Sequence, residues 1–226
     1  MAVLTPDQAH HLRDVLRLRA GDEVELFDGG GASYSGTIRF DAGEICVDAL
    51  RKQEVAPASA TPIALAAALI KLDRFEWMLQ KSAELGVDRI LPLETHFSNT
   101  HIAAARLDAR LERWQRIVRE ASKQCRSVTV PRVHAPEQFD ALLADPEYSG
   151  WARFLLHGKA AGRLAADHFP DRPVLLCVGP EGGWDDSEAA AAGQAGFRIV
   201  SLGTRVLRAE TACLAAVAVF RFLLEK

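Results

Sequence analysis

Hydrophobic positions change their period part-way along the chain. From Pro6 to Leu18 they fall at Ala9, Leu12, Val15 and Leu16, with His11, Arg13 and Arg17 off that face, which predicts an amphipathic helix. Three short runs follow, Glu23–Phe27, Ser33–Phe40 and Glu44–Leu50, separated by Asp28-Gly29-Gly30-Gly31 and Asp41-Ala42-Gly43. Strand-like runs bounded by glycine and aspartate predict a small antiparallel β unit. Composition then shifts at Val55–Pro62, rich in alanine and proline, and a boundary is expected there, with residues 1–56 and 62–226 as the two domains.

Beyond Pro62 the apolar runs alternate between strand and helix periods. The expected elements are strand Ile63–Ile70, helix Phe75–Leu85 stopped by Gly86, strand Val87–Leu93, a long helix over Arg106–Arg126, a helix at Glu137–Ala144 and strand Ala152–His157. A helical Ala160–His168, strand Val174–Val178, helix Asp185–Ala195, strand Phe197–Leu202 and a helix from about Glu210 to Leu224 complete the order. The long helix carries one stripe, Leu107, Leu111, Trp114, Val118, Ala121 and Cys125, that must be buried. Alternation of this kind is the grammar of an α/β fold with a parallel sheet.

Composition narrows the class. The 226 residues are 49% apolar, enough for a sizeable core. The longest apolar stretch, Ala212–Leu224, is broken by Arg221 and is shorter than the roughly 20 residues a membrane helix needs. Asp7, His10, His11 and Arg13 stand where an export signal would be apolar, so a cytoplasmic protein without a membrane partner is expected. Cys46, Cys125, Cys177 and Cys213 are widely spaced and form no CxxC pair, and the histidines lack ligand company, so no metal site is expected. A net charge of −3 gives no global reason to expect nucleic acid, and any RNA contact must rest on local patches.

Two loops carry the chemistry. Strand Val174–Val178 runs into Gly179-Pro180-Glu181-Gly182-Gly183-Trp184, and Asp185-Asp186-Ser187-Glu188 opens the next helix in the manner of a capping box. A glycine-rich loop at the carboxyl end of a parallel strand is where α/β proteins bind ligands, and it lets backbone approach them closely. The same composition also suits a tight turn with no ligand. No Walker lysine follows and GxGxxG is absent, which disfavours a phosphate loop. The second loop, Leu202–Thr211, places Arg208 and Glu210 at a helix start. A cation is misplaced there unless it meets something other than the helix, because a helix N-terminus favours negative charge. An ion pair with Glu210 is the plainer reading, and contact with an electron-rich substrate the functional one.

The run Gly179–Gly183 with Glu188, Gly196-Phe197, Leu202-Gly203 and Val206-Leu207-Arg208-Ala209-Glu210-Thr211-Ala212 resembles the RsmE family of ribosomal RNA uridine methyltransferases, within the SPOUT superfamily. Further matches are His11-Leu12, Val15-Leu16-Arg17, Gly21-Asp22, Gln80-Lys81, Glu84–Val87, Arg113-Trp114, Glu120-Ala121 and Gln124-Cys125. The sequence departs from the family's pattern at Met1–Leu4, where a basic and aromatic strand is usual, and at Thr95–Phe97, where Ser-Glu-Arg is usual. The resemblance implies an N-terminal PUA-like β-barrel for RNA, a C-terminal α/β domain tied in a trefoil knot, and a homodimer. It also implies methylation of ring N3 of a uridine in small-subunit ribosomal RNA, free or in the assembled subunit, with S-adenosylmethionine as cofactor. Leu156, His157, Gly179, Pro180, Glu181, Gly182, Gly183, Leu202, Gly203, Val206, Leu207 and Thr211 would surround that cofactor.

Uridine N3 must lose a proton as it attacks, and negative charge spreads to the flanking carbonyl oxygens. A positioned cation there lowers the barrier. Arg208 is the expected cation, and Glu181 or Glu210 the expected proton acceptor or the residue that orients it. RNA contacts are expected from Arg13, Arg17 and Arg19, and from Arg116, Lys123 and Arg126 on the Arg106–Arg126 helix, where seven basic residues face three acidic ones. From the residues alone, a solvated helix face with i to i+4 pairs is the plainer reading of the same charges. Two other readings stay open: an RNA-binding module without catalytic activity, and a small-molecule enzyme using the α/β domain for a nucleotide.

Overall fold

The computed structural model describes residues 1–41, 44–53, 61–165 and 171–224. Most of the expected boundary at Val55–Pro62 and the tip of the Asp41–Gly43 turn lie outside them. The chain divides into two compact units, Met1–Ala58 with Ser127–Thr129, and Ser59–Arg126 with Val130–Lys226.

In the first unit a short strand β1 (Ala2–Val3) precedes helix α1 (Pro6–His10) and strands β2 (Glu23–Phe27), β3 (Ser33–Asp41) and β4 (Glu44–Gln53). They form one antiparallel sheet in the order β1-β4-β3-β2. So a first strand exists, pairing Ala2 with Val47, although Met1–Leu4 lacks the family's usual residues. The β3–β4 ladder shifts register between Ser35 and Thr37, and Gly36 is required in that bulge. A Cβ on Gly36 would fall 2.5 Å from Val47 Cγ1 and 2.7 Å from the Asp48 carbonyl oxygen.

The helix expected over Pro6–Leu18 is a correction. A Thr5–Gln8 capping box starts α1, but the helix gives way at His10 to one π-helical turn over His11–Val15. Arg17 then takes a φ of 56°, and the Leu18 N–H closes back on the Leu12 carbonyl at 3.0 Å. A left-handed residue cannot continue a right-handed helix, so periodicity alone overran the true end. The apolar face read there is not buried either: Val15 is 58% and Leu16 51% exposed.

The second unit is a parallel sheet between two helical layers. Its elements are β5 (Ile63–Ala68), α2 (Leu72–Glu84), β6 (Arg89–Glu94), α3 (Leu107–Gln124), β7 (Arg132–Val133), β8 (Glu137–Gln138) and α4 (Phe139–Ala144). After them come β9 (Ala152–Leu156), β10 (Val174–Val178), α5 (Asp186–Gln194), β11 (Arg198–Val200) and α6 (Ala209–Leu224). The strand order is β11-β9-β10-β5-β6-β7, with β8 also on β6, and every pair is parallel. Side chains alternate across the sheet. Ile63, Leu65 and Ala67 of β5 and Val174, Leu176 and Val178 of β10 face the core shared with α2, α3 and α6. Ala64, Ala66, Leu175 and Cys177 face the core shared with α4 and α5. Burial on both faces is why these strands read as unbroken apolar runs.

Two expected helices differ. Glu137 and Gln138 pair with β6 as a strand, and only Phe139–Ala144 is helical. Among the described residues of Ala160–His168 there is no helix. Arg163 bridges Ser201, with the Leu164 N–H on the Ser201 carbonyl and the Ser201 N–H on the Gly162 carbonyl, both at 2.9 Å. Backbone groups beyond the end of β11 capture this segment, and a tertiary ladder outweighs the modest helix propensity of its alanines.

Of the long helix's stripe, Trp114, Val118 and Ala121 are buried and Leu107 and Leu111 half-buried, whereas Cys125 is exposed because it caps α3 and Arg126 turns the chain at a φ of 58°. Arg221, the charge that interrupts the last apolar run, is used inside the fold. Its guanidinium donates to the carbonyls of Gly86 and Thr61 and to Asp88, tying α6 to the turn before β6. Among the described residues no helix is long and apolar enough to cross a membrane.

Trp114 is fully buried against Phe75, ring centroids 4.9 Å apart, with its indole N–H unpartnered among the described residues. Trp114→Ala is therefore expected to destabilise by about 3–5 kcal/mol and Trp114→Phe by well under half of that, since phenylalanine also removes an unsatisfied donor. Urea unfolding monitored by circular dichroism checks the order. Glu76 takes hydrogen bonds from Arg113 at 2.6 and 2.7 Å and from Arg110 at 2.9 Å, which hold its carboxyl below the usual range. A depressed carboxylate adds stability that is present above its unfolded-state pKa and disappears as pH falls through the folded one. Glu76→Gln is thus expected to cost about 1 kcal/mol near neutrality and progressively less as acid is added below the normal carboxylate range.

Candidate active site

The ends of four adjacent strands stand level. Leu156 at the end of β9 pairs with Val178 of β10 and Val200 of β11, and Val178 pairs with Ala67 of β5. The loops that follow β9, β10 and β11 therefore start from one edge of the sheet and close around a cleft of about 300 Å³.

The β10 loop is set by close contacts. Trp184 is buried, donates its indole N–H to the Leu156 carbonyl at 2.9 Å and packs on Phe139 at 4.5 Å. A Cβ on Gly179 would lie 3.0 Å from that indole nitrogen, and one on Gly182 only 2.8 Å from Phe97 Cβ. Gly183 needs its φ of 79°, which side chains rarely adopt. The capping box read from sequence is formed: Ser187 N–H bonds Asp185 and Asp185 N–H bonds Glu188, while the second oxygen of Glu188 accepts the His96 N–H at 2.8 Å. Hydrogen bonds from the Ser187 hydroxyl and N–H hold the Asp185 carboxyl below its ordinary pKa. The His96–Glu188 hydrogen bond fastens the Thr95–Ser98 turn to the first turn of α5, which follows the glycine loop.

Of the expected cofactor residues, Leu156, His157, Gly179, Pro180, Glu181, Gly182, Gly183, Leu202, Gly203, Val206 and Leu207 all line this cleft. Thr211 does not, and is exposed. Ala209 and Ala212, three residues apart on one face of α6, turn to the cleft, and a helical step of about 100° takes Thr211 off that face. His157 lines the cleft and also closes a turn, its Nδ1 accepting the Lys159 N–H at 2.9 Å.

The expected catalytic residues are spread. Glu181 lines the cleft, but its partner is Arg74 at 3.4 Å, not Arg208. Arg208 is exposed beside the cleft, just before α6, and makes no ion pair with Glu210 among the described residues. Glu210 is buried, 7% exposed, with one carboxylate oxygen unpartnered among the described residues. Arg13, Arg17 and Arg19 in the first unit, and Arg116, Lys123 and Arg126 in the second, are all exposed. Sequence reasoning missed Lys159, Arg205 and Trp184 in the lining. Their place at strand ends was the available signal, whereas nothing in the sequence links Arg74 to Glu181. Among the described residues no three His, Cys, Asp or Glu side chains gather as a metal would require.

Leu156, Val178, Leu202 and Val206 supply apolar walls, and the glycine loops supply exposed backbone donors and acceptors at a strand-end crevice. Such a mixture suits a nucleoside better than a bare phosphate. Residues 57–221 match the family model described as an RNA methyltransferase domain, and residues 4–47 the model described as an RNA methyltransferase PUA domain. A relative from Synechocystis, a ribosomal RNA small subunit methyltransferase E, is 36% identical over 98% of this chain and 73% of its own length. A crystal structure of ribosomal RNA small subunit methyltransferase E from Neisseria gonorrhoeae bound to S-adenosylmethionine is 32% identical, covers 98% of this chain and 92% of that one, and aligns with a TM-score of 0.86. A Legionella pneumophila protein solved with the cofactor SAM bound is also 32% identical, over 98% and 91%, with a TM-score of 0.87. The chain belongs to this family of RNA methyltransferases, the ribosomal RNA small subunit methyltransferase E family.

Because a Cβ at Gly182 would press on Phe97, Gly182→Ala is expected to lower stability by about 1–3 kcal/mol and to loosen the Thr95–Ser98 turn. Urea unfolding and amide hydrogen exchange over Thr95–Ser98 and Gly179–Gly183 would read both effects.

Proposed function

We propose that this chain transfers the methyl group of S-adenosylmethionine to ring N3 of a uridine in small-subunit ribosomal RNA. The convergence of the Gly179–Gly183 and Leu202–Leu207 loops on one cleft is the observation that carries this reading. The family's activity and the S-adenosylmethionine held by the Neisseria relative support it. Lys and Arg side chains exposed in both units support an RNA substrate, free or within the subunit. The family resemblance further supports a PUA-like barrel in residues 1–56, a trefoil knot within residues 62–226, a homodimer and a cytoplasmic setting.

The residues present fit the cofactor. Gly183 and Gly203 line the cleft with open space where a side chain would stand, so a nucleoside can approach the backbone there. Leu156, Val178, Leu202, Val206, Leu207 and Ala212 provide apolar surface for a purine and a thioether. When bound, S-adenosylmethionine supplies a methyl group on a sulfonium for in-line displacement. The protein's work is to hold the uracil ring so that N3 faces that methyl group, and to exclude water from the approach. Arg208, exposed beside lining residues Leu207 and Ala209 and free of ion pairs among the described residues, meets the charge that develops on the uracil oxygens. Glu181 lines the cleft and accepts the N3 proton. Glu210, buried in the first turn of α6, orients the segment that carries Arg208.

Arg208→Ala is expected to lower kcat by about 10²–10³, the usual cost of removing one such charge-stabilising group, while affinity for S-adenosylhomocysteine by calorimetry stays within about twofold. An unchanged kcat would remove Arg208 from the mechanism.

A further inference from the structure

Two cations that no role above uses line the cleft, and a third stands beside its lining residue Glu181. Lys159 follows β9 and Arg205 follows β11. Both line the cleft, both side chains are exposed, and neither has an ion-pair partner among the described residues. Arg74, in the first turn of α2, does not line the cleft itself but contacts the lining residue Glu181, 3.4 Å between Nη1 and Oε1. Among the described residues that single long contact leaves most of the guanidinium's donors free, and the side chain stays 39% exposed. Nearby Lys71 differs, since Asp73 holds it at 3.3 Å.

A base that enters this cleft leaves its sugar–phosphate backbone outside. Uracil is neutral, so cations at the mouth have nothing to gain from the base itself, whereas the phosphates on either side of an extruded nucleotide arrive there by covalent necessity. We infer that Arg74, Lys159 and Arg205 form the phosphate clamp for the nucleotides flanking the target uridine, with Glu181 fixing the Arg74 guanidinium at the rim. The clamp rests on the methyltransferase reading and adds an RNA-contact site separate from Arg116, Lys123 and Arg126. Anchoring both flanks of the nucleotide offsets the cost of unstacking it and sets how deeply the base can enter.

The test uses the full chain, unmodified small ribosomal subunits and S-adenosylmethionine, comparing wild type with R74Q, K159Q, R205Q and the triple variant. Each neutralised phosphate contact on a single strand contributes a log–log salt slope of about 0.7, so the triple variant should lose about 2 from the salt slope of its KM for subunits. Its KM at low salt should rise tenfold or more, while affinity for S-adenosylhomocysteine by calorimetry stays within twofold of wild type. A KM and salt slope unchanged in the triple variant would overturn the clamp. So would a parallel loss of S-adenosylhomocysteine affinity, which would assign the cations to the cofactor's carboxylate. If wild type itself neither binds S-adenosylhomocysteine nor methylates subunits, the methyltransferase reading fails first and the clamp with it.

Discussion

The parallel ladder through β9, β10, β11 and β5 fixes where everything else can be. Its hydrogen bonds set Leu156, Val178, Val200 and Ala67 side by side, so the loops that leave these strands begin at one edge and converge without further instruction. A one-residue slip in any of these strands would turn its side chains to the opposite core and stagger the loops. Two apolar layers prevent that slip. Ile63, Leu65, Val174 and Leu176 are committed to one core and Ala64, Leu175 and Cys177 to the other, each with essentially no exposure. The Trp184 hydrogen bond to the Leu156 carbonyl then transfers this registry from the sheet to the glycine loop.

That rigidity explains why the cleft can be built from backbone and small apolar side chains. Gly179 and Gly182 are crowded by Trp184 and Phe97, while Gly183 and Gly203 open onto the cleft, so the same residue type serves packing on one side and leaves open space on the other. The polar groups are placed outside this frame. Glu181 with Arg74, Lys159, Arg205 and Arg208 stand at or beside the mouth, where charge can meet a substrate without being buried in the sheet. Glu210 is the exception, a buried carboxylate at the start of α6 with one oxygen unpartnered among the described residues.

Much of the second unit was legible because its strands are buried on both faces and read as apolar runs, and because Gly86 and the Asp185–Glu188 capping box mark helix ends in local chemistry. The same rule located both cleft-forming loops, since strand ends in parallel sheets are where ligands gather. Failures occurred where a distant partner decided the outcome, or a local backbone geometry that hydrophobic periodicity does not encode. Residues 160–165 join the end of β11 in place of a helix, Glu137 and Gln138 pair with β6, and Arg17 stops the first helix with a left-handed turn that no pattern of apolar residues announces. Thr211 was assigned to the cleft from motif order, but the face of α6 is set by Ala209 and Ala212. Glu181 was read with Arg208, yet its ion pair is with Arg74, brought beside it only by the adjacency of β5 and β10.

The central claim is that the crevice between the two glycine-bearing loops carries out methyl transfer to ribosomal RNA. Mass spectrometry of nucleosides from small-subunit ribosomal RNA, taken from cells with and without this gene, tests it most directly. The account predicts that one N3-methyluridine disappears with the gene and returns when purified protein and S-adenosylmethionine are added to the deficient subunits. An unchanged set of methylated nucleosides in the two RNAs would contradict it.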